Sequence, residues 1–219
     1  MIIRYKNYMK VQHEIPTEYQ LLVQSTVQYF KEGIFARYPG KYWVAGGAVC
    51  RRLQDLGLLL EQDIDLYFSD SQEFSRIYEQ LLTDGFVVYF ENDNAVKMRR
   101  ENEIIDLVKI LDRTVEEVLE KFDFTVCAAA VGSDGLFYSH EDTLRDVSNR
   151  ALRLGNVINP FSTMKRVSKY YVRGFRMDNE NFLTLCEHIK NVDVWQIRKQ
   201  LHDDQHKNGK LLEIWYKLF

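Results

Sequence analysis

The sequence predicts a mixed α/β fold, of the α+β kind, followed by a small helical C-terminal part. Up to about residue 155, short apolar segments typical of strands alternate with amphipathic segments typical of helices. After Arg153, apolar residues recur at helical spacing and no strand is evident. We therefore expect residues 1–155 to form one domain with a mixed sheet flanked by helices, and residues 156–219 to form the helical part.

The elements of the first half follow from apolar periodicity and from turn residues. Gly46-Gly47 interrupts an apolar strand, Gly57 ends the helix that follows, and Ser71 is the expected cap of the next helix. In chain order we expect helices at Thr17–Phe30, Ala48–Leu56 and Ser71–Leu82, and strands at Tyr42–Ala45 and Ile64–Phe68.

The second half begins with a predicted hairpin across the polar turn ENDN, and ends with helices. The strand that follows the hairpin is expected to pair with it across Arg100 to Asn102. The expected strands are Phe86–Phe90, Ala95–Arg99, Glu103–Ile110 and Leu136–Ser139, and the expected helices are Thr114–Lys121, Pro160–Arg176, Asn179–Lys190, Val192–His202 and Leu211–Phe219.

Composition excludes several classes of protein. The 219 residues are 46% apolar and 28% charged, with a formal net charge of -3, which is ordinary for a folded soluble protein and does not by itself indicate a nucleic-acid binder. The 3 cysteines are widely spaced, so neither a zinc site nor a disulfide framework is expected. Because no signal peptide or membrane-length apolar run is present, we expect a cytoplasmic protein without a membrane partner.

Two aspartates stand inside the otherwise apolar segment QDIDLYF. On a strand, Asp63 and Asp65 project from the same face. Asp106, in the middle of EIIDLVKI, can reach the same place from a neighbouring strand. Carboxylates this close repel each other unless a cation lies between them or one is protonated. A divalent ion, Mg²⁺ or Mn²⁺, is the natural partner, and three carboxylates on adjacent strands match a two-metal phosphoryl-transfer site.

The DxD pattern alone is weak evidence, because a solvent-exposed strand start, with Asp65 paired to an arginine, explains it better. The preceding Gly46-Gly47 strengthens it, since glycine lets a phosphate approach the backbone at the start of a helix. That helix carries Arg51 and Arg52. The order strand, GG, helix, DxD strand predicts a nucleoside triphosphate site.

The segment Pro160–Arg176 has an apolar face and a basic face. Met164, Val167, Tyr171 and Phe175 are expected to pack inward. The cations Arg166, Lys169, Arg173 and Arg176 form a stripe whose simplest interpretation is a solvated surface, and whose alternative is a phosphate-facing surface.

Four ordered motifs within residues 40–177 resemble the polymerase-beta-like nucleotidyltransferase superfamily, and within it the head domain of class II tRNA CCA-adding enzymes and bacterial poly(A) polymerases. They are AGGAVCRRL with QDIDLYF, KFDFTVCAAAV, EDTLRDVSNRALRL and FSTMKRVSKYYVRGFRM. The resemblance implies nucleotide-binding roles for Asp123 and for the arginine-rich helix with Arg166, Lys169 and Arg173. Departures occur in the second motif, where Lys121-Phe122 precedes Asp123 and Cys127 replaces an asparagine.

The primary hypothesis is a nucleotidyltransferase that uses ATP or CTP. Asp63, Asp65 and Asp106 hold the metal and act in catalysis, Gly46 and Gly47 cradle the triphosphate, and Arg51 or Arg52 with the basic helix neutralises it. An RNA 3′ end is the expected acceptor. The alternatives are a catalytically silent binding module with the same fold, and a toxin-like transferase that acts on tRNA or protein.

Overall fold

The computed structural model describes residues 15–54 and 63–192. The strands are β1 (Tyr42–Ala45), β2 (Asp63–Phe68), β3 (Val87–Glu91), β4 (Ala95–Arg100), β5 (Glu103–Val108), β6 (Ala129–Gly132) and β7 (Phe137–Ser139). The helices are α1 (Gln20–Phe30), α2 (Gly47–Leu53), α3 (Ser71–Thr83), α4 (Val115–Leu119), α5 (Thr143–Ser148), α6 (Pro160–Val172) and α7 (Asn179–Lys190).

The strands form one mixed sheet in the order β3-β4-β5-β2-β1-β6-β7. β2 and β5 are parallel, and the other neighbouring pairs are antiparallel. The predicted fold class is therefore confirmed. The domain boundary near residue 155 stays a prediction.

The sheet has two faces of opposite character. One face, which we call the core face, carries fully buried apolar residues, including Val44, Leu66, Phe68 and Leu107. Helices α2 and α3 contact β2, and α1 contributes Val23 and Phe30 to the same cluster. Because successive strand residues alternate between faces, the neighbours of these apolar residues lie on the opposite face.

That opposite face, which we call the carboxylate face, is partly covered by α4. Val115, Val118 and Leu119 of α4 pack there against Ala45 of β1 and Ala130 of β6. Asp65 is aligned with Ala45 across the β1–β2 pair and therefore projects from this face. The apolar cover thus lies over β1 and β6, while the neighbouring β2 and β5 carry carboxylates there.

Several details differ from the sequence-based expectations, among them the end of β5, which is Val108 rather than Ile110. Asp70, rather than Ser71, caps α3, because its carboxylate accepts a hydrogen bond from the backbone N–H of Glu73. In α6, Tyr170 is buried and Tyr171 is 56% exposed, which reverses the predicted inward residue.

The helix α6 also ends earlier than predicted. Its last residue is Val172, because Gly174 adopts a φ of 88° and turns the chain out of the helix. Phe175 is buried as predicted, although it lies beyond the helix. The predicted helix Val192–His202, apart from its first residue, the predicted helix Leu211–Phe219 and the predicted helix end at Gly57 lie outside the described residues.

Among residues 15–54 and 63–192, no helix combines the length and the apolar character needed to cross a bilayer.

Candidate active site

The structure brings the three predicted carboxylates onto two adjacent parallel strands. Asp63 begins β2, and Asp65 follows on the same side of the strand. In the register of β2 with β5, Asp65 is aligned with Asp106. Aligned residues on neighbouring strands project from the same face. All three side chains therefore lie on the carboxylate face, as the sequence pattern predicted.

The three carboxylates have different partners. Asp106 is only 3% exposed and forms an ion pair with Lys97 of β4, with which it is aligned. Its second oxygen, Oδ1, is buried and has no hydrogen-bond partner. Asp63 is half-exposed and lies 3.6 Å from Nη2 of Arg51. Among the described residues, Asp65 forms no ion pair, so its charge is the least compensated of the three.

The electrostatics of Asp65 reflect this arrangement. Burial, together with the negative charges of Asp106 and Asp63, raises the pKa of Asp65 to about 7, against the opposing effect of Lys97 and Arg51. Burial also raises the pKa of Asp106, although the hydrogen bond from Lys97 acts in the opposite direction. The carboxylate face therefore favours a cation close to Asp65.

The glycine pair begins α2 in a backbone conformation that only glycine adopts readily. Gly46 has φ 75° and ψ -130°, and a Cβ there would lie 2.6 Å from Cε1 of Phe122. The backbone N–H of Gly46 donates to the carbonyl of Ala129 at 3.0 Å. Because that amide is engaged, a phosphate at this turn has to use backbone groups from Gly47 onward.

Arg51 connects the glycine turn to the acidic strand. It is buried at 7% exposure, and its Nη2 donates to the backbone carbonyl of Asp63 at 3.0 Å. Its Nη1 is so close to the turn that a Cβ at Gly47 would lie 3.1 Å from it. One guanidinium thus contacts both motifs. Arg52 instead stacks on Tyr29 of α1, 4.3 Å from the ring centroid, so Arg51 is the one of the two that contacts β2.

The second motif, Lys121-Phe122-Asp123, lies beside the glycine turn. The ring of Phe122 fills the space at Gly46 and packs edge-on against Tyr67 of β2, at 6.1 Å between ring centroids. Asp123 is buried and forms an ion pair with Arg166 of α6. The motifs predicted to act together are therefore in contact through Phe122 and Asp123.

The cations of the basic helix have separate environments. Arg166 pairs with Asp123 and is about half-exposed. Lys169 is exposed, and Arg173, the residue after the helix, lies 5.7 Å from the ring centroid of Tyr170. Tyr170 in turn contacts Sγ of Cys127 in the second motif at 2.5 Å. The helix therefore borders the second motif, and the orientation of Lys169 and Arg173 toward Asp63 and Asp65 stays a prediction.

The donor set suits a hard divalent cation. Mg²⁺ is commonly held by one or two carboxylates together with phosphate oxygens of the substrate, and Asp63 and Asp65 supply such a pair. The unpartnered Oδ1 of Asp106 is a further oxygen on the same face of the sheet. In the described parts of the chain, however, no three Asp, Glu, His or Cys side chains are grouped closely enough to hold an ion unaided. Phosphate oxygens would have to complete the coordination.

Two residues of this face were missed by sequence reasoning. Lys97 was given no role, although a two-residue turn at Glu101-Asn102 fixes the β4–β5 register and places Lys97 opposite Asp106. Tyr89 of β3 lies close enough that, besides burial, the charges of Asp106 and Asp63 raise its pKa. No simple sequence signal identifies Tyr89, because β3 contains a register shift between Val88 and Phe90.

The sequence matches a known protein family. The family described as "Gabija anti-defense 2 family protein", Gad2, matches residues 17–150, which is more than half of the 219 residues. The chain belongs to the Gad2 family. The matched region contains the glycine turn, the three carboxylates and the second motif, and it ends before α6. No curated protein matches the sequence.

Solved structures similar to this Gad2-family protein share its fold. A CCA-adding enzyme in complex with ATP has a TM-score of 0.54 at 18% identity, over 85% of this chain and 48% of that one. The Thermotoga maritima CCA-adding enzyme complexed with tRNA has a TM-score of 0.52 at 19% identity, over 81% and 43%. A tRNA nucleotidyltransferase with primer tRNA and an ATP analogue has a TM-score of 0.52 at 17% identity, over 75% and 50%.

These similarities establish a nucleotidyltransferase-like fold, as the motifs led us to expect. This chain spans half or less of the length of those three proteins. At such low identity, the comparison extends to the fold and not to the substrates named for those proteins.

Proposed function

We propose that this protein is a metal-dependent nucleotidyltransferase that transfers a nucleotide from ATP or CTP to an RNA 3′ end. The observation that carries the proposal is Arg51, which contacts the glycine turn and the first residue of the DxD strand at once. A guanidinium in this position neutralises a triphosphate that lies along the turn and reaches the carboxylates.

Each motif has a role in the proposed site. Asp63 and Asp65 hold Mg²⁺ or Mn²⁺ together with phosphate oxygens, and Asp106 is the third carboxylate. The backbone from Gly47 onward contacts the triphosphate, and Gly46 provides the turn that allows the approach. The more distant cations, Arg166, Lys169 and Arg173, and the acid Asp123 that Arg166 holds, border the nucleotide.

The reaction is a displacement at the α-phosphorus of the nucleotide. The oxygen of the acceptor hydroxyl bonds to that phosphorus, the bond to the β-phosphate breaks, and pyrophosphate leaves with the bonding electrons. We assign the hydroxyl proton to Asp106. When bound, the metal ion supplies positive charge that lowers the energy of the developing charge on the phosphoryl oxygens.

Two of the structural comparisons support the choice of substrates. The similar enzymes were solved with ATP and with primer tRNA plus an ATP analogue. The name of the family supports a biological role, since it describes action against the defence called Gabija. We therefore propose that nucleotidyl transfer by this protein serves anti-defence.

A catalytically silent binding module is the second candidate. It is favoured by the ion pair that already neutralises Asp106. It is also favoured by the departures at Lys121, Phe122 and Cys127 from the second motif of the CCA-adding enzymes and poly(A) polymerases that the sequence resembles. Such a module would act against its target by association alone, and it would have no need of Mg²⁺.

The deciding experiment supplies each α-³²P-labelled NTP with Mg²⁺ to the purified protein and an extract, then separates RNA from protein. Label in RNA, lost in the Asp63→Asn/Asp65→Asn variant, supports the proposal. Label in protein keeps the transferase but changes the acceptor, as in a toxin-like transferase. If the wild-type protein labels neither RNA nor protein but still binds a partner, the result favours the silent binding module.

A further inference from the structure

Lys97 has an unusual partner for a lysine on a strand near a sheet edge. It pairs with Asp106, whose side chain is 5% exposed, while its own side chain is 32% exposed. A second lysine, directly after the end of the neighbouring strand β5, provides a contrast. Lys109 has a similar exposure of 29% but pairs with Glu91, which is 53% exposed. Lys97 therefore compensates a buried charge, and Lys109 makes an ordinary surface pair of small energetic value.

Without Lys97, Asp106 would be a buried carboxylate lacking any ion-pair partner among the described residues. Leaving such a charge uncompensated is strongly destabilising. In many sites built from carboxylates, a metal ion provides this compensation. Here an amino group attached to the chain occupies that position, in a register fixed by the β4–β5 hairpin.

The charges on the carboxylate face indicate how many ions it accepts. Asp63, Asp65 and Asp106 contribute three negative charges, and Lys97 and Arg51 contribute two positive charges. One negative charge remains, and it belongs to Asp65. Before the nucleotide binds, one divalent ion brings this face to one net positive charge, whereas two ions would bring it to three, which is unfavourable at such short range.

We propose that the ammonium group of Lys97 takes the place of a second metal ion, so that the site holds one divalent cation, on Asp63 and Asp65. This inference rests on the proposed nucleotidyltransferase function and specifies its ion requirement. The ammonium group keeps Asp106 oriented and presents N–H donors to a substrate oxygen on the β5 side of the site. The bound ion contacts the triphosphate on the β2 side.

Native mass spectrometry with Mn²⁺ and a non-hydrolysable α,β-methylene NTP counts ions per chain directly. We expect one Mn²⁺ per nucleotide-bound chain in wild type and two in Lys97→Met or Lys97→Gln, because Asp106 then becomes a ligand. Lys109→Met is the matched control and should retain one ion. Adding Asp106→Asn to Lys97→Met should return the count from two to one.

The outcomes separate this inference from the function on which it rests. Two ions in wild type, or one ion in a folded Lys97 variant that binds nucleotide, overturns the role of Lys97 and leaves the transferase proposal intact. Nucleotide bound without any Mn²⁺ in wild type overturns both. If neither Lys97 variant folds, the wild-type count decides, since one ion agrees with the inference and two contradict it.

Discussion

The two faces of the central sheet differ in how their residues contribute to the stability of the fold. On the core face, Leu66 and Phe68 are fully buried and contribute stability through apolar contacts. On the carboxylate face, Asp65 immediately precedes Leu66 in sequence, and its pKa is raised to about 7 by burial and by the charges of Asp106 and Asp63. A single strand, β2, therefore combines stabilising residues with one that is destabilising when ionised. Such strain is typical of a functional site.

The largest effect should come from removing the charges of the acidic pair. Asp63→Asn combined with Asp65→Asn should abolish Mg²⁺-dependent transfer, because no carboxylate of β2 then remains to hold the ion. The variant should keep its fold, which circular dichroism checks. Transfer from labelled NTP at the wild-type rate in this double variant would contradict the metal role of the pair.

Neighbouring residues of β2 should have opposite effects on stability. Leu66→Ala should lower the free energy of unfolding by about 2 to 5 kcal/mol, because it removes buried apolar contacts and leaves a cavity. Asp65→Asn at pH 8 without metal should raise it by roughly 1 to 3 kcal/mol, since it removes a repelled carboxylate. Urea denaturation measures both. A loss of stability in Asp65→Asn would show that the carboxylate is stabilising.

The same carboxylate should make stability depend on pH. The pKa of Asp65 is raised from its ordinary value of 3.8 to about 7, so the folded protein binds this proton more tightly than the unfolded chain. Its contribution to stability is therefore complete below about pH 4 and is lost as the pH rises through 7. In urea titrations without metal, Asp65→Asn should flatten the pH dependence over this range. An unchanged slope would mean that Asp65 has an ordinary pKa.

The glycine turn allows backbone strain to be separated from ligand binding. Gly46→Ala should lower the free energy of unfolding by about 1 to 3 kcal/mol, because of its positive φ and the clash with Phe122. Gly47→Val should instead weaken NTP binding by filling the approach of the phosphate, since the added Cβ would meet only the side chain of Arg51. Denaturation and calorimetry measure the two effects. Equal NTP affinity in Gly47→Val and wild type would place the cradle elsewhere.

The smallest effect should come from the cations beyond the second motif. Lys169→Ala with Arg173→Ala should weaken NTP or RNA binding by about 1 to 3 kcal/mol. The dependence of affinity on salt should also become flatter. Arg145→Ala is a suitable control, since Arg145 is an exposed cation paired with Asp142. Unchanged affinity and salt dependence in the double variant would show that Lys169 and Arg173 face solvent and do not contact the ligand.

Much of the fold is local and was therefore predictable. Tyr42–Ala45 and Asn179–Lys190 have the predicted bounds, because a glycine break ends the first and apolar periodicity defines the second. The alternation of β2 placed Asp63 and Asp65 on one face correctly. The cap of α3 was wrong because Asp70 and Ser71 are both good capping residues, and only the backbone selects between them.

Features that depend on contacts distant in sequence were harder to predict. The contact of Arg51 with Asp63, and the stacking of Arg52 on Tyr29, depend on how α2 packs between β2 and α1. Adjacent helical residues point in different directions, and sequence alone did not assign the two arginines. The inward position of Tyr170 likewise depends on Cys127, which lies 43 residues earlier.

The most direct test of the account is a crystal structure with Mn²⁺ and a non-hydrolysable NTP, analysed by anomalous scattering. We predict a manganese peak within coordination distance of Asp63 and Asp65, with the triphosphate reaching from that ion to the turn at Gly47 and the guanidinium of Arg51. A nucleotide bound away from the carboxylate face, or a triphosphate at the turn with no ion beside Asp63 and Asp65, would contradict it.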